Sequence, residues 1–147
     1  MAVPFLVDIQ QNKKETWEIR IDKEADIVAV RQRVRELAKE YGFDQFAVAA
    51  LTTAASELSR NVWVHAQKGA ARITVLHDRY RVGLELEFMD NGPGIADLSR
   101  ALAGGFSTSK SLGLGLSGTK RLVEEFDIHT EPGRGTKVLI RKWKKDF

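Results

Sequence analysis

Glu57 and Asn61 lie four residues apart in Glu57-Leu58-Ser59-Arg60-Asn61. On a helix that spacing puts both on one face, about 6 Å apart along the axis. A carboxylate there can take a proton from a hydroxyl or a water. An amide oxygen can ligate Mg2+ without adding charge. The same pair also suits an ordinary hydrogen bond across one turn of a surface helix. Further along, Asp90 opens Asp90-Asn91-Gly92-Pro93-Gly94-Ile95. A carboxylate held at a strand end can accept a hydrogen bond from an exocyclic amine such as that of adenine. Gly92 and Gly94 would let the backbone come close to the purine. Asp-Asn-Gly is a common turn as well.

Seven of the twelve glycines fall between Asp90 and Gly118. The middle of this stretch, Phe106-Ser107-Thr108-Ser109-Lys110-Ser111, is rich in hydroxyls and carries one Lys. It suits a lid over phosphates, or a plain solvated loop. Gly113-Leu114-Gly115 then opens a helix, and free N–H groups at a helix start favour phosphate. Three other motifs fail on context. Gly113-x-Gly115-x-x-Gly118 matches the dinucleotide fingerprint but lacks an apolar strand directly before it. Gly104 to Ser111 is a near miss to a P-loop, with Ser109 where the second glycine belongs. No His-Arg-Asp or Asp-Phe-Gly set is present. The three histidines, His65, His77 and His129, show no metal-ligand spacing.

The elements that must carry these residues follow from periodicity. Residues 16–21 alternate, with Trp17, Ile19 and Ile21 on one side, and read as a half-buried strand. A helix capped by Asp22 or Asp26 runs to about Tyr41, with Gly42 as its stop. Asp44 caps the longest helix, which ends near Ala66 or Gly69. Its first half, 46–51, is apolar nearly all round and so is expected to be buried. Its second half turns polar and needs partners or a cleft. Strands are expected at 71–77 and 82–89, joined by a hairpin turn at 78–81, so that the second delivers Asp90. A helix over 116–126, a short strand at 127–130, a tight turn at 131–135 and a last strand at 136–143 complete the chain. The expectation is a two-layer α/β (α+β) sandwich: a mixed, mostly antiparallel sheet covered on one face by helices. Residues 1–15 read as an N-terminal arm, and 16–147 as a single domain.

Composition limits the alternatives. The 147 residues are 43% hydrophobic and 29% charged, with no cysteine, which suits one globular domain with neither disulfides nor a Cys-based metal site. No apolar run reaches the ~20 residues of a membrane span. Net charge is +3, with part of the excess in Arg141-Lys142-Trp143-Lys144-Lys145. That end could bind nucleic acid, or be a solvated strand end. Elsewhere bases and acids interleave, so there is no basic stripe. A cytoplasmic protein with no nucleic-acid or membrane partner is expected.

Taken in order, Glu57-x-x-x-Asn61, Asp90-x-Gly92-x-Gly94, Gly113-x-Gly115 and Gly133-x-Gly135-Thr136 resemble the GHKL ATPase superfamily and its Bergerat ATP-binding fold. Glu57-Leu58-Ser59-Arg60-Asn61, Gly105-Phe106-Ser107-Thr108-Ser109 and Gly113-Leu114-Gly115-Leu116 look most like the small bacterial anti-sigma and switch serine/threonine kinases, the RsbT, RsbW and SpoIIAB group. The resemblance spans about residues 16–143.

This resemblance implies ATP and Mg2+ as cofactors. Glu57 would be the base that orients a protein hydroxyl, and Asn61 would hold Mg2+. Asp90 would bind the adenine amine, with Gly92, Gly94, Ile95 and Thr136 at the same end. The loop from Gly105 to Gly115 would be the ATP lid, bringing Phe106, Ser107, Thr108, Lys110, Gly113 and Leu114 to the nucleotide, with Leu116 behind it. The substrate would be a Ser or Thr of a STAS-domain protein, RsbS- or RsbR-like, in a stressosome. The kinase would then be released to a downstream partner such as a PP2C-type phosphatase. The other reading is a nucleotide-gated binding module with little turnover.

Overall fold

The computed structural model describes residues 15–103 and 112–144, and only the backbone for 99–101 and 112–115. Five strands form one sheet: β1 (Thr16–Ile21), β2 (Gly69–Asp78), β3 (Arg81–Asp90), β4 (Glu125–Glu131) and β5 (Gly135–Trp143). Their order is β1-β2-β3-β5-β4. All four pairings are antiparallel, so the sheet is not mixed. The helices are α1 (Ala25–Glu40), α2 (Gln45–Ala66), the short α3 (Leu98–Ala103) and α4 (Leu112–Leu122).

Alternation decides which side of the sheet the helices cover. Ile73 and Val75 of β2, Leu84, Leu86 and Phe88 of β3, and Val138 and Ile140 of β5 are buried. They pack with Val30, Val34 and Leu37 of α1 and with Leu51, Ala54, Leu58 and Val62 of α2 in one core. The opposite face is charged and ordered in rows. Glu18, Arg72 and Glu87 are directly opposite one another on β1, β2 and β3. Arg72 reaches Glu87 at 2.8 Å and Glu18 at 3.3 Å, and Lys137 joins Glu87 at 3.2 Å. In a second row Arg141 of β5 lies between Glu85 at 2.8 Å and Glu125 at 3.2 Å.

Several boundaries differ from the sequence expectation, each for a local reason. Neither Asp22 nor Asp26 caps α1. Glu24 holds the cap position without a side-chain bond, and Asp26 in the first turn reaches back to accept the N–H groups of Asp22 and Lys23. Asp44 does cap α2, accepting the Ala47 N–H at 2.8 Å. Burial along α2 follows the expectation only in part: Val48 and Leu51 of its first half are buried, but not the whole circumference. Phe46 in its first half is 76% exposed, whereas Ala54, Ala55, Leu58, Ser59 and Val62 are buried. The helix presents Val48, Leu51, Ala54, Ala55, Leu58 and Val62 to the core and packs on α1, the sheet and α4. Helix α4 begins four residues before the expected start, so Gly113 and Gly115 fall within its first turn. Phe126 belongs to β4 because it pairs with Ile140. The short α3 was not expected from the sequence.

Glu15, assigned by sequence to the N-terminal arm, is tied to the domain. It accepts the Tyr41 hydroxyl at 3.1 Å and pairs with His77 at 3.1 Å. At the other end, Lys142 donates to the Leu122 carbonyl and to Glu124. The Trp143 indole N–H donates to Glu125 at 2.7 Å. The basic strand end is therefore bound into its own domain's acidic groups.

Candidate functional site

Between α2 and the helix-covered face of the sheet lies a narrow cleft. Helix α2 supplies Leu58, Asn61, Val62 and His65, and β3 supplies Phe88 and Asp90. The segment after β3 supplies Pro93, Gly94 and Ile95, α4 supplies Leu116, and β5 supplies Thr136 and Val138. The cleft is an apolar slot with polar groups at few points, the usual form of a small-molecule site. Six residues nominated from sequence line it: Asn61, Asp90, Gly94, Ile95, Leu116 and Thr136.

Asp90 sits at the end of β3, opposite Thr136 of β5. Its Oδ1 accepts the Gly92 N–H at 2.9 Å. Burial pushes the carboxyl above its ordinary range, opposed by the N–H groups of Gly92 and Thr136 and by His65. A half-buried carboxylate with capacity left to accept is suited to a ligand N–H. On the facing wall, Asn61 has both side-chain polar atoms, Oδ1 and Nδ2, buried and without a hydrogen-bond partner among the described residues. An orphaned amide of this kind costs about 1–3 kcal/mol unless something completes it. Its neutral carbonyl oxygen suits Mg2+, which prefers one or two protein oxygens beside phosphates and water. Among the described residues no cluster of three His, Cys, Asp or Glu offers another metal site.

The residues after Asp90 are held by their own backbone neighbours. Gly94 has φ +77°, and a Cβ there would run into the carbonyl of Glu131, where β4 ends and the β4–β5 turn begins. Gly133 in that turn donates its N–H to the Pro93 carbonyl at 2.7 Å. Ile95 donates its N–H to Thr130 Oγ1 at 2.8 Å, and Thr130 Oγ1 lies 2.9 Å from Thr136 Oγ1. Gly92 does not line the cleft, and the space beside it is filled by Ala66 of α2. Close packing of Ala66 requires a glycine at this position.

Glu57 stands one turn before Asn61 but outside the residues that line the cleft. Its carboxylate lies 3.5 Å from Arg60, and the side chain is 35% exposed. Gly105, Phe106, Ser107, Thr108 and Lys110 lie outside the described residues. Gly113, Leu114 and Gly115 are described only as backbone in the first turn of α4. Sequence reasoning missed His65 and Thr130. His65 continues the spacing of Glu57 and Asn61 by four more residues, a signal that was readable. Thr130 gave no signal, because its role depends on a register between β4 and β5.

Residues 47–146 match the family described as histidine kinase-, DNA gyrase B-, and HSP90-like ATPase. The chain belongs to this ATPase family. It is 46% identical over 125 residues to the serine/threonine-protein kinase RsbT of Bacillus subtilis, covering 85% of this chain and 94% of that one. It is 27% identical over 104 residues to the anti-sigma F factor of Caldanaerobacter subterraneus subsp. tengcongensis, covering 65% of this chain and 70% of that one. Among solved structures, the RsbU and RsbW domains of a Mycobacterium tuberculosis protein align with a TM-score of 0.63 at 19% identity. That alignment covers 88% of this chain and 33% of the other, and it speaks to the fold alone. As a member of this ATPase family the chain carries the ATP-binding fold, and the cleft between α2 and the sheet is an apolar slot that combines Asn61 with Asp90.

Proposed function

We propose that this chain is an ATP-dependent protein serine/threonine kinase of a bacterial partner-switching pathway. Its substrate is a Ser or Thr of a STAS-domain antagonist, RsbS- or RsbR-like, as in a stressosome. Once the antagonist is modified, the kinase is released in the cytoplasm to activate a downstream partner such as a PP2C-type phosphatase. The observation that carries the reading is the cleft itself, with Asn61, unpartnered among the described residues, on one wall and Asp90 on the other. The 46% identity to the RsbT kinase over most of both chains supports the reaction type.

The chemistry asks little covalent work of the protein, because phosphoryl transfer is mainly positioning and charge neutralisation. Asp90 accepts the adenine amine, and Thr136 supports the same end through Thr130. Apolar Leu58, Val62, Phe88 and Val138 sandwich the base and exclude water. Asn61 holds Mg2+ through its amide oxygen. When bound, Mg2+ supplies neutralisation of the phosphate charge. Glu57, moving from Arg60 toward the acceptor, takes the proton of the incoming Ser or Thr hydroxyl as its oxygen bonds to the γ-phosphorus and ADP departs. By the family resemblance, the segment from Gly105 to Gly115, with Phe106, Ser107, Thr108 and Lys110, would be the ATP lid.

Labelled ATP, incubated with this protein and a STAS partner, tests the proposal. Glu57→Ala is expected to keep nucleotide affinity and slow transfer by ~10²-fold or more. Asn61→Ala is expected to weaken Mg-ATP binding itself. Normal transfer by both variants would remove the role assigned to α2.

A second reading draws support from Glu57. Its carboxylate faces Arg60 and is not among the cleft residues, as suits a nucleotide-gated docking module with little turnover. Catalytic hydrogen bonds are often long before substrate binds, so the kinase reading stands first. Tight ATP binding without labelling of any acceptor would favour the module.

A further inference from the structure

One polar group in the cleft has no part in phosphoryl transfer. His65 sits one helical turn beyond Asn61 on α2 and lines the same cleft. Its Nε2 is buried and has no hydrogen-bond partner among the described residues, the same condition as both polar atoms of Asn61. A buried polar atom without a partner has given up its water and gained nothing in return, so natural proteins keep few of them without a reason. The position of His65 along α2 is informative. Glu57, Asn61 and His65 follow one another at intervals of one turn on one face. At the far end of this series, His65 and Asp90 feel one another electrostatically. The neighbouring Ala66 packs beside Gly92, two residues after Asp90. His65 therefore belongs to the Asp90 end of the cleft, while Asn61 and Glu57 lead away from it. Burial lowers the basicity of the imidazole, against the pull of the Asp90 charge. The neutral ring carries one N–H and one lone pair.

We propose that His65 is a nucleobase-binding residue: its Nε2 hydrogen-bonds a ring nitrogen of adenine next to the 6-amino group, N1 or N7, while Asp90 accepts the amine itself. This rests on the nucleotide-binding reading above and adds a second contact on the same edge of the base. Two contacts on adjacent atoms discriminate more sharply than one, because a mismatched base leaves buried groups unpaired. Guanine would present a carbonyl oxygen to the Asp90 carboxylate, acceptor against acceptor.

The test compares wild type, His65→Phe and His65→Gln by calorimetry, with ATP, adenosine, 1-deaza-ATP and 7-deaza-ATP as probes. His65→Phe keeps the ring volume and removes the polar atom. It is expected to bind ATP and adenosine about 3- to 10-fold more weakly, by the same factor for each, as suits the loss of one hydrogen bond to the base. His65→Gln restores part of the loss. One of the two deaza analogues binds wild type about 3- to 10-fold more weakly than ATP and loses nothing more in His65→Phe, which identifies the ring nitrogen. The melting temperature of nucleotide-free His65→Phe is expected at or above that of wild type, since an unpartnered buried atom is gone. A purely structural histidine would move that temperature down and leave the analogue series parallel. ATP binding by His65→Phe at wild-type strength overturns the proposal. So does a loss confined to ATP and absent with adenosine, which would put His65 at the phosphates. Wild-type protein that binds no ATP overturns the nucleotide reading as well, so the two failures are distinct.

Discussion

Thr130 Oγ1 lies 2.9 Å from Thr136 Oγ1 and also accepts the Ile95 N–H at 2.8 Å. One hydroxyl on β4 thus joins the cleft residue of β5 to the segment that follows Asp90. Thr130→Val keeps the shape and leaves the Ile95 N–H without its acceptor. The expected cost is about 1–3 kcal/mol of stability, read as a lower denaturant midpoint. ATP affinity is expected to fall with it, because Ile95 and Thr136 both line the cleft. Thr130→Ser should retain most of both quantities. Equal affinity for Thr130→Val and wild type would show that the segment holds its place without this bond.

Asp90 supplies a pH dependence with a definite sign. Burial raises its carboxyl above the ordinary value, so the folded protein binds this proton more readily than the unfolded chain does. For the free protein, this group's contribution to stability falls as pH rises from the unfolded value through the raised folded one. Nucleotide binding runs the other way. The ionised carboxylate accepts the adenine amine, so ATP affinity should fall on acidification, starting above the range of an ordinary Asp. Asp90→Asn should bind ATP about 10- to 100-fold more weakly at neutral pH, the weight of a hydrogen bond to a charged group. It should also lose this acid limb. Calorimetric titrations between neutral pH and pH 5 read both effects. An acid limb that persists in Asp90→Asn would assign the titration to another group.

The lines of the fold were legible because burial follows alternation. Ile73, Val75, Leu84, Leu86 and Phe88 each fell on the buried face that their spacing announced. Asp90 and Asn61 were legible for a different reason: each is a polar residue at a place where the pattern around it demands apolar neighbours or a chain reversal. Burial along α2 was legible only in part. Its Ala-rich first half looks apolar all round from sequence, yet it buries one stripe, Val48 and Leu51, and leaves Phe46 exposed. Gly92 reports only that something is close, and the neighbour the sequence could not name is Ala66. Thr130 and the charged rows could not be read at all. They depend on strand order and register, which bring Glu85, Arg141 and Glu125 together from distant parts of the chain.

Gly94 and Gly133 separate backbone strain from steric conflict. Both have positive φ, +77° and +81°. A Cβ at Gly133 meets nothing within 4 Å, whereas one at Gly94 meets the Glu131 carbonyl. Gly133→Ala should cost only the left-handed backbone term, about 1–2 kcal/mol. Gly94→Ala should cost more and should also displace the segment that carries Ile95 into the cleft, weakening ATP binding. Thermal melts and ATP titrations of the two variants check this. Equal losses in stability would mean that the Glu131 turn gives way at no cost.

Arg141 lies on the sheet face opposite the cleft, held at 2.8 Å from Glu85 and 3.2 Å from Glu125. Glu85 is only 15% exposed, so removing its partner strands a carboxylate that water reaches poorly. Arg141→Leu should therefore cost about 1–3 kcal/mol, between the ranges for exposed and buried pairs. Glu18, at 58% exposure, sits at the wet end of the other row, and Glu18→Gln should cost well under about 1 kcal/mol. The double variant Arg141→Leu with Glu85→Leu should recover part of the loss, because no buried charge is then left unpaired. ATP affinity should stay at the wild-type value in all three, since none of these side chains reaches the helix-covered face. A drop in affinity for Arg141→Leu at a temperature where it is fully folded would show that the two faces of the sheet are coupled.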